Sequence, residues 1–290
     1  MREVVLLSGK GGTGKTSVVG AFASLAQNKV LSDCDVDAAD LHLLLDPTPV
    51  EEHEFWSGQV AVIDRDKCTR CGECVRVCRF DAIADYVVDP IACEGCGFCP
   101  RMCPSDAISM KENLAGHWFV SNTRFGPLVH AKLGIAQENS GKLVHLVRQK
   151  AKETAEKAGV DLTINDGPPG IGCAVISALS GANLACIVTE PSVSGIHDME
   201  RVLSVCRHFS IAAMVCVNKW DVSEEGTTEI EDYCRMQDIP VIARIPFDTR
   251  VTEAQVKGVP IVEYTDDARL AGPIREAWRL IIERFDAMSA

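Results

Sequence analysis

The chain has 290 residues, a formal net charge of -12 and 47% hydrophobic residues. This length and apolar content allow a sizeable core, in one large α/β domain or in a domain with a smaller module. The negative charge argues against general nucleic-acid binding, which needs Lys and Arg to neutralise phosphates. Because neither a signal peptide nor a run of 18 apolar residues occurs, we expect a cytoplasmic protein without a membrane span.

The first predicted element is an apolar strand over residues 2–7, and a predicted helix covers residues 15–27. Between them, the glycines of SGKGGTGKTS allow backbone N–H groups to point at phosphate oxygens. Lys15 can neutralise the β- and γ-phosphates, the Thr16 hydroxyl can bind Mg²⁺, and the helix N-terminus adds positive potential. The predicted triphosphate-binding loop comprises Gly9, Gly11, Gly12, Thr13, Gly14, Lys15, Thr16 and Ser17.

The same glycines also satisfy the dinucleotide fingerprint G-x-G-x-x-G, and acids follow about twenty residues later at Asp33 and Asp35. A nicotinamide site, however, does not need the pair Lys15-Thr16. Later motifs in the chain also favour a nucleoside triphosphate. We therefore predict a triphosphate site rather than a dehydrogenase.

With Lys10 included, GKGGTGKT resembles the deviant Walker A motif of the MinD/ParA/nitrogenase-iron-protein/Mrp class of ATPases. The resemblance implies that Lys10 reaches across a dimer interface to the partner's nucleotide, and hence that ATP binding produces a homodimer. A second strand is predicted from Lys29 to Asp33. The resemblance implies that Asp35 orients the attacking water, with Asp33 nearby in the magnesium shell.

Fourteen cysteines without an export signal indicate metal ligands or reactive thiols rather than disulfides. After a predicted Pro- and Glu-rich linker over residues 46–59, two copies of one pattern begin at Asp64 and Asp89, and each holds C-x2-C-x2-C-x3-C. Thiolate ligation of 4Fe-4S clusters uses this spacing, with the fourth cysteine serving the other cluster. The predicted ligands are Cys68, Cys71, Cys74 and Cys103 for one cluster and Cys93, Cys96, Cys99 and Cys78 for the other.

A zinc ribbon would instead use two C-x2-C pairs. Residues 60–112 resemble bacterial two-cluster ferredoxins, with one departure, since Arg79 and not proline follows Cys78. The first and last strands of such ferredoxins pair, and closely spaced ends allow a domain to be inserted into a host. We therefore predict a ferredoxin domain over residues 60–112 and a discontinuous ATPase domain over residues 1–59 and 113–290.

The ATPase pattern resumes with a predicted strand over residues 117–121 and a helix over residues 141–158, capped by Asn139-Ser140. Residues 125–144 resemble the corresponding part of ferredoxin-containing MinD-like ATPases. They are predicted to form either a loop that faces a partner or an ordinary surface connection.

A predicted strand from Val160 to Asn165 leads into DGPPGIG. An aspartate at the end of such a strand can hold magnesium-bound water, and the following glycines can follow the γ-phosphate. The motif resembles switch II of the same ATPase class, with Asp166 at the Walker B position. Cys173 alone supplies too few ligands for a cluster shared between subunits. We therefore expect small buried apolar residues at Cys173, Cys186, Cys206, Cys216 and Cys234.

Strands and helices continue to alternate through residues 185–237. Asn218 and Lys219 at a strand end can hydrogen-bond a purine, and Asn218 resembles the adenine-contacting asparagine of the MinD class. With Asp221 the same residues form N-K-x-D, the guanine-reading pattern, so GTP is the alternative nucleotide. A turn that resembles the family's purine-side loop comprises Pro246, Phe247 and Asp248.

The last predicted element is an amphipathic helix over residues 266–287, which we expect to pack on the sheet rather than to enter a membrane. The predicted fold is a doubly wound, mostly parallel α/β P-loop NTPase with an inserted small α+β ferredoxin domain. The resemblance implies ATP, Mg²⁺ and two 4Fe-4S clusters as cofactors.

Three functions are compatible with these cofactors. In the first, nucleotide state gates electron transfer from the clusters to a redox or Fe-S partner protein. In the second, the protein is an ATP-dependent carrier or assembly factor for a cluster or metal. In the third, it is a positioning ATPase that recruits partners and has structural clusters.

Overall fold

The computed structural model describes residues 1–134 and 140–289 of the chain. The chain forms two compact units. The first, which we call the nucleotide unit, comprises Met1–Glu52, Trp118–Ala131 and Ser140–Ala290. The second, the cysteine-rich unit, comprises His53–His117 and Lys132–Asn139, and the predicted ferredoxin segment 60–112 falls within it.

A nine-stranded sheet has the strand order β11-β10-β9-β1-β8-β2-β7-β6-β3. Its strands are β1 (Arg2–Ser8), β2 (Val30–Asp33), β3 (Thr48–Ile63), β6 (Ile108–Thr123), β7 (Gly126–Leu133), β8 (Leu162–Pro169), β9 (Leu184–Thr189), β10 (Ala212–Asn218) and β11 (Val241–Ile245). Two short strands, β4 (Ile83–Ala84) and β5 (Val87–Val88), form a separate antiparallel pair.

The helices alternate with these strands. They are α1 (Lys15–Leu25), α2 (His42–Leu45), α3 (Glu73–Val77), α4 (Phe98–Met102), α5 (Ser140–Ala158), α6 (Cys173–Leu179), α7 (Val193–His208), α8 (Glu224–Met236), α9 (Arg250–Val256), α10 (Ile261–Tyr264) and α11 (Ala268–Ser289). A 3-10 turn covers Trp220–Val222.

The central strands are parallel, which confirms the predicted mostly parallel α/β fold. β1 pairs in parallel with β8 and β9, and β8 pairs in parallel with β2. Nearly every side chain of β1 and β9 is buried, as expected for a parallel sheet with both faces covered. The register places Asp33 beside Asp166, so both acids lie at the carboxyl edge of the sheet.

Helix α11 packs in the core of the nucleotide unit, as predicted. Leu270, Ile274, Ile281 and Phe285 are buried along one face of it, and the helix contacts α1 and β11. Pro273 lies in the second turn of the helix, where it has no N–H to donate to the Arg269 carbonyl. Within residues 1–134 and 140–289, the structure contains no helix with the length and hydropathy needed to cross a bilayer.

Two segments differ from the sequence predictions. The predicted linker 46–59 is wrong, since most of it belongs to β3, the last strand in the sheet order. Edge strands tolerate the proline and charged side chains that made this segment resemble a linker. Within the predicted loop 125–144, residues 126–133 form β7, and α5 begins at Ser140. The proposed cap residue Asn139 lies outside the described residues.

The cysteine-rich unit is built around a small core. Ala61, Cys74, Ile83, Cys99 and Ile108 are buried together. The duplication is visible in the backbone, because α3 and α4 follow Gly72 and Gly97, which both have left-handed conformations. The Asp64 N–H donates to the Ala107 carbonyl at 2.8 Å, so the two ends of the repeat pair lie side by side.

Candidate functional site

A cavity of about 610 Å³ lies at the carboxyl edge of the sheet in the nucleotide unit. The structure brings most of the predicted nucleotide residues to its wall. The lining includes residues 11–17 of the glycine-rich loop, Asp35, Asn218, Lys219 and residues 246–248. Gly9 and Lys10 are absent from the described lining, and Asp33 and Asp166 are buried at the strand ends.

The glycine-rich loop needs glycine where it approaches other elements. Gly14 has a φ of 89°, and a Cβ there would lie 2.3 Å from the Asn218 amide nitrogen. A Cβ at Gly9 would lie 2.2 Å from the Asp198 Cβ. Both distances are shorter than any unstrained contact, so an alanine at either position would displace the loop.

The two residues predicted to contact the base also hold the loop. Asn218 Nδ2 donates to the Thr13 carbonyl at 2.7 Å, and Lys219 Nζ donates to the Gly12 carbonyl at 3.0 Å. β10 ends at Asn218, so the end of this strand contacts the glycine-rich loop that precedes α1. The structure therefore gives Asn218 and Lys219 a structural contact that their sequence motif does not reveal.

Three predicted acids surround the predicted phosphate lysine. The buried Lys15 Nζ donates to Asp166 Oδ1 and lies 3.6 Å from Asp35 Oδ2. Burial lowers the pKa of Lys15, but the charges of Asp166, Asp35 and Asp33 outweigh it, so the pKa is raised. The lysine is therefore a permanent cation in this site, and without nucleotide the carboxylates are its partners.

Asp33 organises the loop that carries Asp35. Its Oδ1 accepts from the Asp35 N–H at 3.1 Å, and its Oδ2 accepts from the Leu41 N–H at 3.2 Å, just before α2. Burial, followed by the charge of Asp166, raises the pKa of Asp33 well above its ordinary value. One carboxyl group thus fixes both ends of the segment between β2 and α2.

Asp35 is expected to destabilise the nucleotide-free protein at neutral pH. Burial raises its pKa from 3.8 to about 6, so folding favours the protonated form. Between pH 4 and 6 the folded state binds more protons than the unfolded state, and stability falls as pH rises. Asp35→Asn should therefore raise the free energy of unfolding at pH 7 by about 1 kcal/mol, since solvent screens this partly exposed side chain, and by little near pH 4. Denaturant titrations would contradict this if the variant were not stabilised at pH 7.

Lys10 contacts its own chain through an acid that the sequence motifs do not identify. Its Nζ lies 2.7 Å from Glu190 Oε1 and donates to the Ser192 and Ser194 hydroxyls at 3.1 and 3.0 Å. Glu190 Oε2 also accepts from Lys219 at 2.8 Å. Glu190 follows β9 directly, so its position at a strand end is the one signal that could have marked it.

Asp221, the last residue of the N-K-x-D pattern, is engaged elsewhere. Its Oδ1 accepts from the Phe247 N–H at 2.7 Å, and it is absent from the described lining of the cavity. A guanine reader needs a free carboxylate that faces the base. The contact instead fixes the turn formed by residues 246–248.

In the cysteine-rich unit, the second predicted quartet is gathered at one place. Cys78, Cys93, Cys96 and Cys99 all line one small cavity, together with Phe80 and Phe98. Burial and then the nearby thiols of Cys93, Cys96 and Cys78 raise the pKa of Cys99 to about 11.

The first predicted quartet is gathered in part. Cys68 and Cys71 lie close enough to Cys74 to contribute, after burial, to its raised pKa. Cys103 Sγ accepts from the Ala107 N–H at 3.3 Å. Among the residues that the structure describes, no three His, Cys, Asp or Glu side chains are arranged to hold a single metal ion.

The cysteines of the nucleotide unit are mostly buried, as predicted. Cys186, Cys206, Cys216 and Cys234 belong to the core, and Cys34 is also buried. Cys173 is the exception, because its side chain is exposed. It begins α6 directly after the glycine-rich turn, where the first residue of the helix faces outward, so the prediction of burial is wrong there.

The chain is similar to known nucleotide-binding proteins. Residues 4–261 match the family model described as the CobQ/CobB/MinD/ParA nucleotide binding domain. An uncharacterized protein of Methanocaldococcus jannaschii is 36% identical over 220 residues, which are 75% of this chain and 78% of the relative. An uncharacterized ATP-binding protein of the same organism is 26% identical over 294 residues, which are 98% of this chain and 89% of the relative.

Solved structures show the same fold. The septum site-determining protein MinD of Pyrococcus horikoshii, complexed with Mg-ADP, superposes with a TM-score of 0.62 and 20% sequence identity. The alignment covers 100% of this chain and 98% of that chain. At this identity the similarity concerns the fold alone.

Proposed function

Because the chain belongs to the CobQ/CobB/MinD/ParA nucleotide-binding family and is a MinD/ParA-type P-loop ATPase, we propose that its nucleotide state gates electron transfer from two 4Fe-4S clusters to a partner protein. One observation carries the proposal. A cavity lined by the glycine-rich loop and a cysteine-rich unit that contains both predicted cysteine quartets occur in a single polypeptide. Neither a nucleotide switch alone nor a ferredoxin alone needs both parts.

In the proposed nucleotide site, N–H groups of residues 11–16 and the Lys15 ammonium bind the phosphates. The Thr16 hydroxyl, with Asp33 and Asp166 nearby, would hold Mg²⁺, whose charge would neutralise the phosphates. The donors fit this role, because three carboxyl groups converge on one buried lysine. A phosphate would compete with Asp166 for the Lys15 ammonium, and the Asp166 carboxylate would then be available to the magnesium shell.

Adenine is the proposed base. Asn218 and the turn of residues 246–248 line the cavity and are available to a purine. The position of Asp221 supports ATP rather than GTP, since a carboxylate that reads guanine would have to face the base, and Asp221 is absent from the described lining of the cavity.

The proposed active form is a homodimer in which Lys10 reaches the partner's nucleotide. In one chain alone Lys10 pairs with Glu190, and both side chains are only partly buried. A partly exposed ion pair is worth about 1 kcal/mol or less. Such a contact can hold Lys10 in place in the monomer and still be exchanged for a phosphate, which offers a stronger charge-assisted contact.

Cys68, Cys71, Cys74 and Cys103 would hold one cluster, and Cys93, Cys96, Cys99 and Cys78 the other. When bound, such clusters supply one-electron transfer. The grouping of Cys78 with Cys93, Cys96 and Cys99, which come from the other repeat, supports this exchange of the fourth ligand. A zinc ribbon would instead use two C-x2-C pairs, without the x3 step to a fourth cysteine in each repeat.

The proposed coupling follows the chain. A γ-phosphate can bias a switch only through contacts that it makes in one state, and Asp35 and Gly170 are the candidates. Asp33 ties the Asp35 loop to the residue before α2. β3 follows α2 and continues to Ile63 in the cysteine-rich unit. Movement of the loop would therefore reach that unit through a strand rather than through a flexible linker.

A second candidate is a carrier or assembly factor that delivers a cluster. Cys71 and Cys96 are exposed, so one ligand of each quartet is accessible to an acceptor protein. Rapid release of iron to a chelator would favour this carrier function, whereas firmly held iron would favour electron transfer. A positioning ATPase is the third candidate, because the matched family model includes MinD and ParA.

Iron content tests the proposed cofactors. Protein purified without oxygen should contain about eight irons per chain and should hydrolyse ATP in the same preparation. Cys99→Ser should remove about four of them, because Cys99 is the buried member of its quartet. Cys173→Ser, at an exposed cysteine outside the quartets, is the control and should keep all of them. One or two irons, or stoichiometric zinc, would contradict the assignment.

A further inference from the structure

A chain of buried polar side chains crosses the nucleotide unit. Ser32 Oγ donates to Asn165 Oδ1 at 2.6 Å, and Asn165 Nδ2 donates to Glu3 Oε1 at 2.7 Å. Arg148 Nε donates to the same Glu3 oxygen at 2.9 Å. These four residues are at most 3% exposed. The contacts therefore connect β2, β8, β1 and α5 in the interior of the protein.

This network includes the residues that directly precede two acids of the proposed magnesium site. Ser32 precedes Asp33, and Asn165 precedes Asp166. Because successive strand residues point to opposite faces, each network residue faces away from its neighbouring acid. The hydrogen bond between Ser32 and Asn165 thus fixes the two strand ends from which the acids project.

The other end of the network holds the helix that follows switch II. Arg148 Nη1 donates to the Ser177 carbonyl at 2.6 Å and to the Ser180 carbonyl at 2.8 Å, at the end of α6. The last carbonyls of a helix lack partners within it, and a cation there is favourable. α6 has seven residues and is about 10 Å long. Its start, at Cys173, therefore moves with the end that Arg148 holds.

Stability alone does not require this arrangement. Replacing a buried ion pair with apolar side chains of similar volume is often neutral or stabilising. Glu3 has a further ionic partner in Lys152, 2.8 Å from Oε2, so the carboxylate is not left unpaired when Arg148 is changed. The feature that needs the guanidinium is the simultaneous contact with Glu3 through Nε and with α6 through Nη1, because lysine has only one nitrogen to make both contacts.

We propose that Arg148, anchored by Glu3, is a positioning residue for ATP hydrolysis. It fixes the far end of α6, while Asn165 fixes the strand end before Asp166. The γ-phosphate loop of residues 167–172 is thereby held between two anchored points. This inference rests on the proposed role of Asp166, and it assigns Arg148 no contact with nucleotide.

The test compares Arg148→Met with Lys150→Met, a change on the same helix at a lysine paired with Glu153. Arg148→Met should lower kcat about tenfold to a hundredfold, because small displacements of reacting groups have effects of this size. KM for ATP should stay within about twofold of wild type, since the phosphate contacts lie in the glycine-rich loop. Lys150→Met should change neither. An unchanged kcat in folded Arg148→Met protein would overturn the proposal.

Hydrogen exchange separates positioning from general stability. In Arg148→Met, the amides of residues 167–180 should exchange at least about tenfold faster, while those of β9 and β10 stay protected. Equal loss of protection throughout the unit would overturn the proposal in favour of a purely structural role. Arg148→Lys keeps the charge and should recover only part of kcat, so full recovery would also overturn it.

A second variant and a wild-type control distinguish the remaining outcomes. If Arg148→Met does not fold, Glu3→Gln combined with Arg148→Met removes both charges of the pair and provides the folded variant for the same measurements. If wild-type protein shows no hydrolysis, the proposed function fails, and the exchange data still decide whether Arg148 anchors α6.

Discussion

Lys15→Ala protein is expected to lose measurable ATP hydrolysis and to bind ATP at least about a hundredfold more weakly. Truncating one partner of a hydrogen-bonded charge pair at a binding site costs about 2 to 5 kcal/mol of binding free energy. The substitution also leaves Asp166, Asp35 and Asp33 close to the phosphate site without the cation that offsets their charge. Titration with a fluorescent ATP analogue measures the loss of affinity directly.

Lys10→Ala tests whether Lys10 has a different role from Lys15. Because Lys10 contacts Glu190 and not the cavity of its own chain, this variant should bind ATP with wild-type affinity. It should nevertheless fail to dimerise and to hydrolyse ATP. Lys157→Ala, at an exposed residue of α5, is the control. If monomeric protein hydrolysed ATP and Lys10→Ala did not slow the reaction, the proposal that Lys10 acts on the partner's nucleotide would be wrong.

Asp35→Asn is expected to trap the ATP state. Its carboxylate lies 3.6 Å from Lys15 at the cavity wall, and an amide cannot take a proton from the attacking water. General-base groups of this kind contribute about 10²- to 10⁴-fold, so kcat should fall by that factor while ATP affinity persists. The ATP-bound dimer should then survive gel filtration, whereas wild-type dimer decays as ATP is consumed.

Asp37→Asn is the matched control for this prediction. Asp37 is exposed on the same loop, so its loss should leave hydrolysis unchanged. If Asp35→Asn hydrolysed ATP at the wild-type rate, another group would have to orient the water, and the assignment of Asp35 would be wrong.

Much of the nucleotide site follows from the sequence because its parts are local motifs at strand ends. Parallel strands bring their carboxyl ends to one edge, so Lys15, Asp35 and Asp166 meet although they are far apart in the chain. The grouping of Cys78 with Cys93, Cys96 and Cys99 is consistent with the spacing of the motif, and the role of these cysteines as cluster ligands stays a prediction.

Other features depend on contacts between distant segments that have no motif. Glu190 is separated from Lys10 by 180 residues, and nothing in its immediate sequence marks it as that lysine's partner. Arg148 belongs to an otherwise ordinary amphipathic helix, and only the fold shows that it is buried against Glu3. The sequence of β3 resembles that of a linker because the composition of an edge strand is that of a solvent-exposed segment.

The most direct test of the central claim is a redox titration of the iron-loaded protein without oxygen, performed with ADP and with a non-hydrolysable ATP analogue. If nucleotide state gates the clusters, the midpoint potential of at least one should differ between the two states by about 30 mV or more, which is half of the 59 mV that changes a one-electron equilibrium tenfold. Lys15→Ala protein should show no difference. Identical potentials in both nucleotide states, measured on wild-type protein that hydrolyses ATP, would contradict the account and leave the clusters structural.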